Sequence, residues 1–117
     1  MKNTGDKGEI IAIKYLIEKG YKILDTNYKF GRFGEVDIIA FFESKTIFIE
    51  VKYRSSEKFG TGEESVNKQK LFKILKTIEA YCKSKNIDFE KIQFDVISIV
   101  KEEKSYKLTH YRNQSFQ

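Results

Sequence analysis

Apolar and polar positions along this chain follow two different periods. Between positions 4 and 19, Ala12, Ile13 and Leu16 recur at helical spacing, with Thr4 placed as an N-cap and Gly20 as a stop. The segment "YKILDTNYKF" (21–30) reads as a strand that bends or breaks near Asp25 to Asn27, and "GRFG" follows as a turn. Runs at 35–42 and 46–54 alternate with period two and predict a hairpin. "SSEKFGTGEES" reads as a loop, its glycines suited either to a phosphate-facing segment or to an ordinary turn. Leu71, Ile74, Leu75, Ile78 and Cys82 then form a helical stripe over 67–85, with Asn67 as the candidate cap. "IQFDVISIV" reads as a buried strand and "YKLTHYRN" as a shorter last one. The order α-β-β-β-α-β-β predicts one α/β domain over 1–117, a mixed sheet flanked by two helices.

Charges interrupt the hairpin. Val36, Ile38, Ala40 and Phe42 form one face of its first strand, and Ile47, Ile49, Val51 and Tyr53 one face of its second. Bringing these sets together through an even loop, such as Ser44-Lys45 or residues 43 to 46, sets Asp37 opposite Lys52 and Ile39 opposite Glu50. Asp37 and Glu50 become diagonal neighbours, roughly 7–8 Å apart at the backbone, on the face they share with Ile39, Phe41 and Phe48. That face is apolar at the turn and charged at the open end, unlike a solvated strand face.

The first helix adds a third acid. Glu9 falls within the arc of Ala12, Ile13 and Leu16, where a carboxylate needs a cation or a proton. Glu9, Asp37 and Glu50 would together make an all-oxygen pocket suited to Mg²⁺ or Mn²⁺. Lys52 beside it could orient or deprotonate a water, or neutralise a transition state. The alternative is an ordinary Asp37–Lys52 ion pair with Glu50 at its rim.

Composition narrows the class. The 117 residues are 40% hydrophobic and 33% charged, a globular balance with one modest core. A net charge of +5 favours a polyanionic partner such as nucleic acid. Seven Tyr and ten Phe could stack on bases, but their place in strand-like runs assigns most of them to the core. The single Cys82 excludes an internal disulfide and a Cys-rich metal site. No apolar run is long enough to span a bilayer and no secretory h-region precedes the first helix, so a cytoplasmic protein with no membrane partner is expected.

The acid on one strand and "EVK" on the next resemble the PD-(D/E)XK nuclease superfamily. More closely, "GEVDIIA", "IFIEVKYR", "FG" at 59–60 and "FDVISI" resemble the YraN-like family of small bacterial proteins, related in fold to archaeal Holliday junction resolvases. The resemblance covers Glu9 to about Val100. It implies a restriction-endonuclease-like core with Glu9, Asp37, Glu50 and Lys52 as matching site positions. Val36 replaces the superfamily's proline. Lys70 matches a family lysine in the second helix and could reach phosphate, while Leu71 stands where the family often has glutamine and Gln93 where it often has arginine.

The expected function is metal-dependent hydrolysis of DNA phosphodiester bonds, with branched or structured DNA suggested by analogy with the resolvases. The rival is a binding module for nucleic acid that does not cut. Arg54 could touch the backbone, and the 55–65 loop could hold it. Resolvase-like enzymes often act as symmetric dimers, so a homodimer is also considered. Glu35 shares the Asp37 face and could assist there, although a strand-end acid reads first as solvated; Asp95 reads as a structural hydrogen-bond or salt-bridge partner and His110 as a surface residue.

Overall fold

The computed structural model describes residues 4–32, 34–55 and 68–116. Phe33, most of the 55–65 loop and the Asn67 cap lie outside the described residues. Five strands form one sheet in the order β1-β2-β3-β4-β5. They are β1 (Lys22–Phe30), β2 (Gly34–Phe42), β3 (Lys45–Ser55), β4 (Ile92–Lys101) and β5 (Tyr106–Tyr111), with α1 (Thr4–Glu18) before β1 and α2 (Lys68–Lys85) before a single 3-10 turn at Phe89–Lys91. Neighbours are antiparallel except β3 and β4, which run parallel. The parallel pair is separated in sequence by α2, since parallel strands need a long crossover. The expected mixed sheet with two helices is the fold. Among the described residues no helix is long and apolar enough to cross a membrane.

Each helix covers one face. Ala12 and Leu16 of α1 pack with Ile38, Ala40, Ile47, Ile49, Ile97 and Ile99. Ile74, Ile78, Tyr81 and Cys82 of α2 pack with Val36, Ile39, Phe48 and Phe94. Both helices end in the same way. Gly20 at φ 97° lets Tyr21 N–H reach Leu16 C=O (2.9 Å), and Asn86 at φ 57° lets Ile87 N–H reach Cys82 C=O (2.9 Å). These left-handed residues satisfy carbonyls the helix ends would otherwise leave unpaired.

The hairpin register differs from the expected one. The turn is Glu43-Ser44, both at positive φ (52° and 68°), and Phe42 pairs with Lys45, Ala40 with Ile47 and Ile38 with Ile49. Alternation fixes a register only to within two residues, because a two-residue slip keeps every side chain on its face. Ile39 therefore faces Phe48 rather than Glu50. Val36 is also on the other face from that expected: it packs with the α2 cluster while Ile38 packs with the α1 cluster, so alternation breaks at Asp37. The bend expected near Asp25 is a register shift between Ile23 and Asp25, followed by Asn27 at φ 51°.

Asp95 and His110 tie the far side of the sheet to α1. Asp95 is fully buried and accepts hydrogen bonds from Gln93 Nε2 (2.9 Å) and Asn113 N–H (2.9 Å), while its Oδ2 lies 2.7 Å from His110 Nε2. His110 Nδ1 lies 2.8 Å from the Tyr15 hydroxyl. His110 is not the surface residue its sequence position suggested, since its side chain is 7% exposed. Burial pushes the Asp95 carboxyl up, but the hydrogen bonds from His110, Asn113 and Gln93 and the attraction of His110 outweigh it and hold the pKa below the ordinary value. An ionised Asp95 only accepts, so His110 Nε2 carries a proton and donates to it, while Nδ1 is hydrogen-bonded to the Tyr15 hydroxyl.

Because the folded pKa of Asp95 is depressed, the unfolded chain binds the proton more readily. The stability this group contributes is therefore present above the ordinary value of 3.8 and lost as pH falls through 3.8 toward the lowered one. Asp95→Asn should cost about 2–3 kcal/mol near neutral pH, because an amide N–H would face a donor. It should also flatten the acid limb of stability against pH, measured by urea unfolding between about pH 6 and pH 2.

Candidate metal centre

Where β2 leaves β3, Asp37 takes over a backbone partner. The β2–β3 ladder runs from Phe42↔Lys45 to Ile38↔Ile49. Continuing it would set Asp37 directly opposite Glu50, and like charges in that position repel. Instead the Asp37 carboxylate accepts the Val51 N–H at 2.8 Å. This bond pins Asp37 at the fork between the strands, where groups from both faces of the sheet can approach.

From one face comes α1. Gly8 makes its approach possible, since a Cβ there would lie 2.8 Å from Tyr53 Cβ. The next residue, Glu9, is buried. From β1, the left-handed turn of backbone at Asn27 carries its amide to the same place. Asn27 Nδ2 donates to Glu9 Oε1 (3.0 Å), Glu9 Oε2 (2.9 Å) and Glu35 Oε2 (3.0 Å). Carboxylate oxygens of Glu9, Glu35 and Asp37 all lie within 4.8 Å of one another.

Carboxylates gathered this closely repel one another unless nearby cations or donors offset the charge. Two unit charges at that spacing repel by about 3–4 kcal/mol at an effective dielectric near 20. An octahedral Mg²⁺ holds its oxygens at about 2.1 Å, so ligand oxygens stand roughly 3 Å apart when adjacent and 4 Å when opposed. The set is within a small contraction of that geometry, and hard carboxylate oxygens suit Mg²⁺ or Mn²⁺. The cluster could hold a metal ion.

The expected site residues are distributed as follows. Glu9 and Asp37 come together. Glu35, which the sequence set on the Asp37 face as an assisting or merely solvated acid, joins them. Glu50 lies outside that set of three and pairs with Lys70 of α2, Nζ to Oε2 at 3.0 Å. Asp37 and Glu50 nevertheless line one cleft of about 390 Å³ with Glu35, Arg32, Lys70 and Lys73. Lys52 is half-buried two residues beyond Glu50, beside Ser98 of β4, and Arg54 stands two residues further on beside Val100. Neither is among the described residues lining that cleft.

The sequence marked Asn27 only as part of a bend and gave Arg32 and Lys73 no site role. A signal existed for Asn27, because an Asp-Thr-Asn run inside an apolar strand pattern marks a bulge. Lys73 was legible only as one turn beyond Lys70. The close passage of α2 over Gly34 is what brings it in: a Cβ on Gly34 would lie 3.2 Å from Lys73 Cβ.

Relief of repulsion gives a direct test. Glu35→Gln should raise the melting temperature of the metal-free protein, by an amount worth about 1 kcal/mol, and should shrink the added stabilisation by Mg²⁺ or Mn²⁺. Thermal melts with EDTA and with each ion measure both.

A family model described as "Uncharacterised protein family UPF0102" matches residues 8–99. The chain is 45% identical to a UPF0102 protein of Alkaliphilus oremlandii over 114 residues, covering 96% of this chain and 97% of the relative. It is 44% identical to one of Clostridioides difficile, covering 96% of each. A third, from Fusobacterium nucleatum, is 43% identical over 87% of this chain and 85% of its own length. The matched region spans both helices' packing faces, the forked hairpin and the acids around it: the chain belongs to the UPF0102 family.

Proposed function

We propose that this protein is a metal-dependent nuclease that hydrolyses DNA phosphodiester bonds, built on a restriction-endonuclease-like core of the PD-(D/E)XK type. The observation that carries the reading is Asp37 at the strand fork, gathered with Glu9 and sharing a cleft with Glu50. Glu9 and Asp37, with Glu35 beside them, would hold Mg²⁺ or Mn²⁺, and Glu50 would join from the opposite wall. The ion supplies Lewis acidity toward a phosphoryl oxygen and makes water more acidic.

The chain's own residues do the rest. Asn27 orients two carboxylates at once through one amide, so their oxygens point where they are needed before any ligand arrives. Lys52, on β3 beyond the described lining of that cleft, would supply a positive charge for the nucleophile or the developing charge on the phosphoryl oxygens. Arg32, Lys70 and Lys73 set cations on the rim of the same cleft, where a phosphate backbone would lie, and Arg54 extends the basic surface along β3. Branched DNA is the favoured substrate by analogy with the resolvases.

A second reading has one observation in its favour. Glu50 is held by Lys70 at 3.0 Å, an arrangement that serves a module gripping nucleic acid without cutting it. The two separate on incubation with single-stranded, duplex and four-way-junction DNA in Mg²⁺, Mn²⁺ or EDTA. The nuclease should cut only with metal, and Asp37→Asn or Glu50→Gln should reduce cutting by about 10²-fold or more. Equal cutting by wild type and both variants would mean a contaminant, and tight binding without cutting would support the module.

A further inference from the structure

The outward side of α1 is apolar as well as its inward side. Ala12 and Leu16 are fully buried against the sheet. Ile10 and Ile17 point the other way, 66% and 56% exposed, with Ile13 half-buried between them. Together with Lys14 and Glu18 they line a shallow groove of about 510 Å³. A helix apolar on opposite sides is normally covered on both. Three isoleucines within two turns are more than scattered surface residues.

The charges beside the stripe decide what covers it. Lys7 and Glu18 are both exposed and eleven residues apart, about three turns, so they lie along one flank at opposite ends of the isoleucines. An anionic lipid surface or a nucleic acid is negative throughout and would offer Glu18 no counter-charge. A second copy of the chain, packed antiparallel across a twofold axis, meets this flank with its own flank reversed. Lys7 then comes opposite the partner's Glu18, and Glu18 opposite the partner's Lys7. A crossing centred between Ile13 and Lys14 also sets Ile10 against the partner's Ile17, and within about 3 Å along the axis it satisfies the charges too. One patch is thus complementary to itself, the requirement of an isologous interface. Lys14 meets the partner's Lys14 near the axis, and each relieves that contact by laying its aliphatic stem on the isoleucines and lifting its ammonium to water.

We infer that the outer face of α1 is a homodimer interface, with Ile10, Ile13 and Ile17 as its apolar centre and reciprocal Lys7–Glu18 pairs at its two ends. The inference does not depend on whether the protein cuts DNA. It does have a geometric effect on the acids, because Glu9 sits on the inner side of the same helix and two clusters would be held at a fixed separation.

Sedimentation velocity over a protein concentration series tests it, with circular dichroism to verify folding. Wild type should show a reversible dimer. Ile17→Glu should raise the dissociation constant about 100-fold or more with an unchanged spectrum, because Ile17 contributes little to the protomer's core. Lys7→Glu and Glu18→Lys should each weaken the dimer, and the double variant should restore it. A wild type that stays monomeric throughout overturns the inference, as does a dimer indifferent to Ile17→Glu. So does a monomer that binds lipid vesicles through Ile10 and Ile17, which would assign the stripe to a membrane surface. A double variant no tighter than the singles overturns the antiparallel pairing.

Discussion

One hydrogen bond organises the candidate centre: the Asp37 carboxylate on the Val51 N–H. A sheet strand ordinarily sends its side chains to one face or the other. Asp37 instead uses its side chain as a substitute for backbone pairing, at the point where Val36 and Ile38 turn to opposite faces. The strands can part there without leaving the Val51 N–H unsatisfied, which would cost about 1–3 kcal/mol. Parting is what opens the sheet to Glu9 from one side and to the cleft with Glu50 and Lys70 on the other. Were the ladder to continue, those acids would sit on a closed surface.

Much of this was legible in the sequence, for reasons tied to particular residues. The two helices declared themselves by period and by their ends, with Gly20 taking the left-handed role its position suggested. The buried acid of α1 was evident because Glu9 fell among Ala12 and Leu16. Register was not evident, because Ala40 can sit beside Ile47 or Ile49 with identical inside-outside pattern, and only the choice of Glu43-Ser44 as the turn resolves it. Glu35 could be set on the Asp37 face, but not beside Glu9. Its neighbourhood depends on Asn27, a residue of another strand whose left-handed backbone redirects its amide. Contacts made by a break in regular structure are invisible to arguments from regularity.

Two groups of polar residues in the molecule make opposite use of negative charge. Asp95 is a lone carboxylate surrounded by donors from three elements, and its environment favours ionisation. Its effect is mechanical: through His110 and Tyr15 it fastens α1 to the two strands at the far edge. The Glu9, Glu35 and Asp37 set gathers three acids, two of them bridged by the Asn27 amide. The second brings three carboxylates within reach of one another, a set that could hold a cation. The two are joined by α1, which presents Tyr15 to one and Glu9 to the other.

Gly8 has a consequence for anyone seeking a sturdier version of this protein. Replacing a glycine inside a helix by alanine is among the safest ways to stabilise a fold, worth up to about 1 kcal/mol through the unfolded chain alone. Here the added methyl would press on Tyr53 where α1 passes close over β3. The helix would have to lift, and the neighbouring Glu9 would lift with it. A screen selecting only for heat resistance would discard this substitution or accept it with the acids pulled apart, so Gly8 marks where thermal robustness and the integrity of the centre compete.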